Sequence, residues 1–367
     1  MKYLSEFRDS VLVKSLLTRI TARSRTPVRL MEFCGGHTVS IFRHGLRQLL
    51  PPTVELVSGP GCPVCVTATP DLDMAIALAQ LPEVTIATFG DMFRVPASHG
   101  SLQECRADGA DVRMVYSTLD ALDLARNNPH RKVIFLGIGF ETTAPTVAAS
   151  LLTARDEKLA NFFVLSMHKV CPPVLRAILS SGEIRLHGLI CPGHVSAIIG
   201  ADAWAPTAKE FGLPCVVAGF EPVDILQAVL ALVEQVEDGV ASSSIAYTRG
   251  VTPAGNIHAQ RVLAEVFESG PANWRGVGVV PESGLAIREA FSLHDANRVF
   301  KVDPGPSVEP AGCICGAVLR GASTPFDCAL FGTACTPVSP VGPCMVSSEG
   351  SCSAYYRYGR DTAVEKR

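Results

Sequence analysis

The chain has 367 residues, 47% hydrophobic but only 7% aromatic, with a formal net charge of −3. A chain this long is expected to form two or three domains with ample cores. It carries no lysine–arginine block or aromatic–basic stripe of the kind that binds nucleic acid, and no apolar run long enough to cross a membrane.

Apolar positions at helical period (Leu4, Phe7, Val11, Leu12, Leu16, Ile20) predict a helix over residues 3–23. Charge is spread through this segment and no cleavage site follows, so it does not read as a signal peptide and a cytoplasmic location is expected. Short apolar runs then alternate with helical segments. Strands are predicted over 28–33, 54–58, 84–89, 112–115 and 133–137, with helices over 39–50, 72–81 and 119–127. A second series has strands over 161–166, 188–190 and 214–218, with helices over 144–155, 173–180 and 223–235. This alternation predicts an α/β fold of two similar doubly wound, Rossmann-like parallel-sheet domains. The expected division is an N-terminal helix (1–26), α/β domains at 27–141 and 142–249, and a C-terminal cysteine-rich domain at 250–367.

In such sheets ligands sit at the carboxyl ends of the strands, so the strand-end loops are the candidate site. The first is MEFCGGHT, residues 31–38. Cys34 follows a buried strand and precedes two glycines, on a turn that large partners can approach. A helix starting at Thr38 would favour its thiolate, and His37 is placed to tune or deprotonate the thiol. The second is SGPGCPVC, residues 58–65, where Cys62 and Cys65 form a C-x-x-C stiffened by proline. That spacing suits a reversible dithiol/disulfide pair or half of a metal site. The third, Gly137–Thr143, has glycines and hydroxyls at a helix start and is a candidate for a nucleotide phosphate, although the Walker lysine is missing. Glu141 in that loop and His194 in Pro192–Ser196 are candidate site residues, with cap and turn chemistry as the plain alternative. Cys105, Cys171 and Cys215 read as packing residues, and Cys191 lies close to His194. Two short echoes, Cys-Gly-Gly-His and Cys-Pro-Gly-His, and a repeated Gly-Phe-Glu at 139–141 and 219–221, hint at two related domains facing a cleft.

Six of the thirteen cysteines (Cys313, Cys315, Cys328, Cys335, Cys344, Cys352) crowd into a terminal stretch rich in glycine, proline and serine. Such a stretch needs a metal or cross-links to fold. Reducing surroundings and an odd cysteine total favour metal over disulfides. Wide spacings suit an iron–sulfur cluster held by four cysteines better than the short knuckles of zinc, which stays as an alternative.

Taken together, CGGHT, GPGCPVC, GFETT, PGHVS and the terminal GPCMVSSEGSCSAYYRY with its cysteines resemble the HypD family of nickel–iron hydrogenase maturation proteins, from about residue 30 to residue 359. The resemblance implies two related α/β domains and a third carrying a [4Fe-4S] cluster. It implies a scaffold role, shared with the small partner HypC, in which an Fe(CN)2(CO) unit is assembled with cyanide from HypF and HypE before delivery to the hydrogenase large subunit. Carried over by position, Cys34 matches the cysteine that holds the iron, with His37 beside it. Cys62 and Cys65 match the loop dithiol, and Glu141 and His194 the cleft motifs. The cluster is expected on Cys315, Cys328, Cys335 and Cys352, with Cys344 the main substitute and Cys313 a lesser one. A cluster beside a dithiol is similar to the arrangement in ferredoxin:thioredoxin reductase. The sequence departs from the family at Val39, where a second histidine is expected; His44 is the nearest replacement. Three other readings stay open: an iron–sulfur thiol–disulfide oxidoreductase, an ATP-hydrolysing assembly factor with ATP at Gly139–Thr143, and a zinc-stabilised binding protein.

Overall fold

Two sheets and a hairpin organise the computed structural model, which describes residues 5–359. Leu4 and the outer ends of the first and last expected domains lie outside the described residues. The first sheet has the order β2-β1-β7-β8-β9, all parallel, and the second the order β4-β3-β5-β6, also all parallel. Their strands are β1 (Val28–Glu32), β2 (Val54–Ser58), β3 (Val84–Thr88), β4 (Asp111–Met114), β5 (Lys132–Gly137), β6 (Phe162–Ser166), β7 (Gly188–Pro192), β8 (Cys215–Ala218) and β9 (Ser243–Ile245). The two-unit α/β fold and its eight expected strands are thus present, each strand within two residues of its predicted bounds.

The assignment of strands to sheets differs from the contiguous division at residues 141 and 142. The chain leaves the first sheet after β2, builds the whole second sheet, and returns at β7 to pair beside β1. Strand β6, expected in the second domain, pairs with β5 of the first series. Parallel strands buried on both faces read as the same apolar run wherever they pair, so local pattern cannot assign them.

The region after residue 249, expected to combine helix with irregular chain, also contains a sheet. Strands β10 (Phe267–Trp274) and β11 (Gly278–Ile287) form an antiparallel hairpin with a register shift between Gly270 and Ala272. Their glycine- and proline-containing sequence has weak strand propensity, and burial of Phe267, Trp274 and Ile287 supplies what propensity lacks. Helix Ile257–Val266 packs on helix Ala144–Asp156, so this region belongs with the second sheet.

Helix Ser10–Arg23, capped by Asp9, packs against helix Pro222–Glu237 over the first sheet. Leu16 and Ile20 meet Leu226, Val229 and Val233 in one apolar layer. Each such side chain fully buried contributes about 1.5–3 kcal/mol. Helix Pro222–Glu237 also holds the fully buried carboxylate of Asp224, which accepts two bonds from Arg249 (2.5 and 2.6 Å) and one from the Glu221 amide (3.1 Å). Arg249 in turn lies over the Phe7 ring, 3.5 Å from its centroid.

Removing one partner of this buried pair strands the other. Asp224→Ala is expected to lower the free energy of unfolding by about 3 kcal/mol in urea titrations. Arg126→Ala opens only exposed pairs with Asp123 and Glu157 and is expected to leave the unfolding midpoint nearly unchanged. Equal costs for the two would contradict the placement of Asp224.

Candidate functional site

Cys34 ends β1 at the point where the first sheet reverses its order, with β2 on one side and β7 on the other. This switch point is where open α/β sheets leave a crevice. The residue is extended (φ −157°, ψ 127°) and is itself the N-cap of helix Gly35–Arg43, so the helix begins at Gly35 rather than near Thr38. Gly35 donates to the Gly61 carbonyl at 3.0 Å. A Cβ on Gly61 would lie 2.2 Å from the Cys34 nitrogen, so the CGGH and GPGC loops touch backbone to backbone and only glycine fits between them. A Cβ on Gly35 would lie 2.5 Å from Cβ of Glu349, which brings the terminal segment to the same turn.

The electrostatics of the thiol reverse the expectation. The Gly36 and His37 amides do favour thiolate, but burial and the nearby Glu349 carboxylate dominate and push Cys34 up to about 12. The residue nevertheless keeps partial exposure. Glu32, which the sequence reading passed over, is fully buried two residues earlier. It accepts from the Cys34 amide at 3.2 Å and from the Thr38 hydroxyl, and burial raises its carboxyl to about 7.

His37 is committed elsewhere than the thiol. Its Nε2 lies 3.0 Å from the Gly219 carbonyl and 3.3 Å from that of Ala218, so Nε2 carries the proton and donates it. Burial lowers its pKa to about 4 and keeps it neutral, leaving Nδ1 as an acceptor without a hydrogen-bond partner. His37 and His194 both stack on Phe220, at 4.9 and 3.9 Å between centroids. Burial also lowers the pKa of His194. Phe220 therefore sets the positions of both histidines, and it too was missed, although the repeated Gly-Phe-Glu marked it.

Glu141 is buried and accepts from the Cys171 amide at 2.8 Å, capping helix Cys171–Ser181 from the end of β5. Its Oε2 has no partner, and burial raises its pKa. Cys171, expected as packing, meets Glu141 through its amide and lies within electrostatic reach of Cys34; burial pushes its thiol up. In the same loop the Thr143 hydroxyl turns back onto the Phe140 and Ile138 carbonyls, at 3.4 and 3.5 Å. The Cys-Gly-Gly-His and Cys-Pro-Gly-His echoes end neighbouring strands of one sheet rather than facing strands of two.

Cys62 and Cys65 are joined by a disulfide, with Cα atoms 5.2 Å apart, at the start of the short helix Pro63–Val66. That helix packs against helix Pro343–Val346, which carries Cys344. All six terminal cysteines line one apolar pocket, and the sulfurs of Cys315 and Cys344 are 2.6 Å apart. Cys313 lines the same pocket. Among the described residues no three of these groups surround a single metal position. Six soft thiols on one apolar pocket fit, by number and chemistry, the four-thiolate requirement of an iron–sulfur cluster.

The HypD family profile, described as "Hydrogenase formation hypA family", matches residues 11–359. The chain is 49% identical over 369 residues to the hydrogenase maturation factor HypD of Azotobacter vinelandii, covering 98% of this chain and 97% of that protein. It is 48% identical over 377 residues to HypD of Rhodobacter capsulatus, covering both chains fully. It is 46% identical to HypD of Cupriavidus necator, over 98% of each chain.

Glu32 gives this site a pH signature. Its folded pKa near 7 exceeds the value of 4.5 for a free carboxyl, so between those pH values the folded state holds more protons than the unfolded. Stability from this group is full below the lower value and is lost as pH rises to 7, by roughly 2–3 kcal/mol. Urea titrations across this window should show the loss in the wild type and a flatter profile in Glu32→Gln. Parallel profiles would remove Glu32 as the source.

Proposed function

The chain belongs to the HypD family of hydrogenase maturation factors, and we propose that within this process it is the scaffold, with HypC, on which an Fe(CN)2(CO) unit is assembled. The observation that carries this reading is the convergence at Cys34. A partly exposed thiol stands at the switch point of the first sheet, with the disulfide loop against its backbone and the cysteine-rich segment beside it through Glu349.

On this reading the iron is cargo. Low-spin iron carrying cyanide and carbon monoxide favours a soft thiolate, and the open side of Cys34 leaves room for a second thiolate from HypC. Binding of the cation replaces the thiol proton, as coordinated thiols are deprotonated outright. Cyanide comes from HypE, charged by HypF, and the finished unit passes to the hydrogenase large subunit. His37 and His194, held on Phe220, and Glu141, held on Cys171, wall the crevice. The Cys62–Cys65 disulfide is the oxidised form of a two-electron, two-proton couple beside this site, and an external dithiol or a one-electron donor acting twice would reduce it to two thiols.

The terminal pocket would hold a [4Fe-4S] cluster through Cys315, Cys328, Cys335 and Cys352, with Cys344 the substitute ligand. When bound, such a cluster supplies one-electron redox chemistry. The contact between the Cys65 and Cys344 helices supports placing the disulfide next to it. Compared with a thiol–disulfide oxidoreductase alone, this reading gives Cys34 a role that the C-x-x-C does not need.

The test is an infrared spectrum of the protein purified anaerobically with HypC from cells making the maturation set. Cyanide and carbonyl stretches are expected in the wild type and absent in Cys34→Ala, with the brown cluster colour kept. Bands that survive Cys34→Ala, or a brown wild-type preparation with none, would refute the scaffold reading. Serine at both Cys62 and Cys65 is expected to weaken the bands without bleaching the colour.

A further inference from the structure

A cavity of about 230 Å³ lies between strand β2 and the 318–327 segment. Arg47, from the short helix Leu46–Leu49, lines it. A guanidinium has five donors, yet Arg47 makes a single long bond, to the Ser58 hydroxyl at 3.4 Å, and its buried Nε has no partner. Among the described residues it forms no ion pair. It rests against a pair of packed aromatic rings on one side, 4.7 Å from the Phe42 ring centroid and 5.4 Å from that of Tyr355. A guanidinium seated on aromatic rings keeps its other side and its planar fork of donors available, the geometry that matches a carboxylate or phosphate.

Of the nearby carboxyls, buried Glu32 lies within electrostatic reach of Arg47 but is driven toward its neutral form by burial, and the two in the lining are engaged elsewhere. Glu55 is occupied by Arg29, at 2.8 and 3.1 Å. Asp327 is occupied by the Thr324 amide and hydroxyl, at 2.7 and 2.9 Å. Ser58 and Ser323 add hydroxyls to the wall. The volume falls short of the roughly 300 Å³ at which pockets for whole drug-sized molecules begin, and far exceeds the about 30 Å³ of one water. We propose that this cavity binds an oxyanion, a phosphate group, on the Arg47 fork with hydroxyls of Ser58 and Ser323. The phosphate is either free or the end of a nucleotide whose remainder lies outside. Occupancy would tie the 318–327 segment, which leads into the cysteine pocket, to the edge of the first sheet.

The test titrates the full chain, purified anaerobically, with inorganic phosphate and separately with ATP at constant ionic strength. Calorimetry reads affinity and hydrogen exchange reads the 318–327 segment. Saturable binding with slowed exchange there is expected, weakened about tenfold or more by Arg47→Gln. Ser323→Asp, on a partly exposed loop, places a carboxylate in the cavity without touching the core and is expected to weaken binding similarly, so a misfolded Arg47 variant would not spare the idea. Tighter binding of ATP with the same dependence on Arg47 assigns the site to a nucleotide; phosphate binding as tight as ATP assigns it to the free anion. No saturable binding of either probe, or binding that Ser323→Asp leaves unchanged, overturns the proposal.

Discussion

The pairing of β7 beside β1, with Leu30, Met31 and Glu32 opposite Gly188, Leu189 and Ile190, is the contact on which the site depends. It returns the chain to the first sheet after more than a hundred residues spent building the second. It makes the end of β1 a switch point, so a crevice opens there rather than at another strand end. It also sets Cys34 and His194 on neighbouring strands, and β8 then delivers Phe220 between the two histidines. Asp224 and Arg249 fix that last loop by holding the Glu221 amide and the first turn of the following helix.

Burial governs the chemistry of this crevice more than local dipoles do. A helix N-terminus points at the Cys34 sulfur, yet the thiol, Glu32 and His37 are all driven toward their neutral forms by the same loss of water. In a medium of low dielectric, desolvation of a charge outweighs the partial charges of two amides. The crevice is therefore held in uncharged forms, a property that suits the proposed holding of a metal fragment more than attack on a carbon centre.

The terminal segment has little regular structure of its own and is held on by side chains. Arg320 reaches Glu183, Ser347 reaches Asp91 at 2.9 Å, and Tyr355 packs on Phe42 with ring centroids 4.3 Å apart. Glu309, just ahead of it, pairs with buried Arg275 of the hairpin turn. These contacts come from both sheet units, so the cysteine pocket is positioned only once both have formed. The same contacts bring the Cys344 helix to the disulfide helix and Glu349 to Gly35.

Strands, most helices and the chemical loops were legible in the sequence because each is written locally. Buried parallel strands are apolar runs, and Cys34, Cys62, Cys65, Glu141 and His194 follow them in glycine- and proline-rich turns. The β10–β11 hairpin was not legible, since its pairing is stabilised by burial rather than by residue preference. Neither were Glu32, Phe220, Cys171 and Glu349, whose roles arise from what lies across from them. By itself the sequence determined the α/β class, the strand-end position of the reactive residues and the gathering of six cysteines at one end. Only the tertiary structure decided which strands share a sheet, that the thiol of Cys34 is held protonated, and which side chains face it. Those are properties of contacts between residues far apart in the chain, and no local pattern encodes the partner.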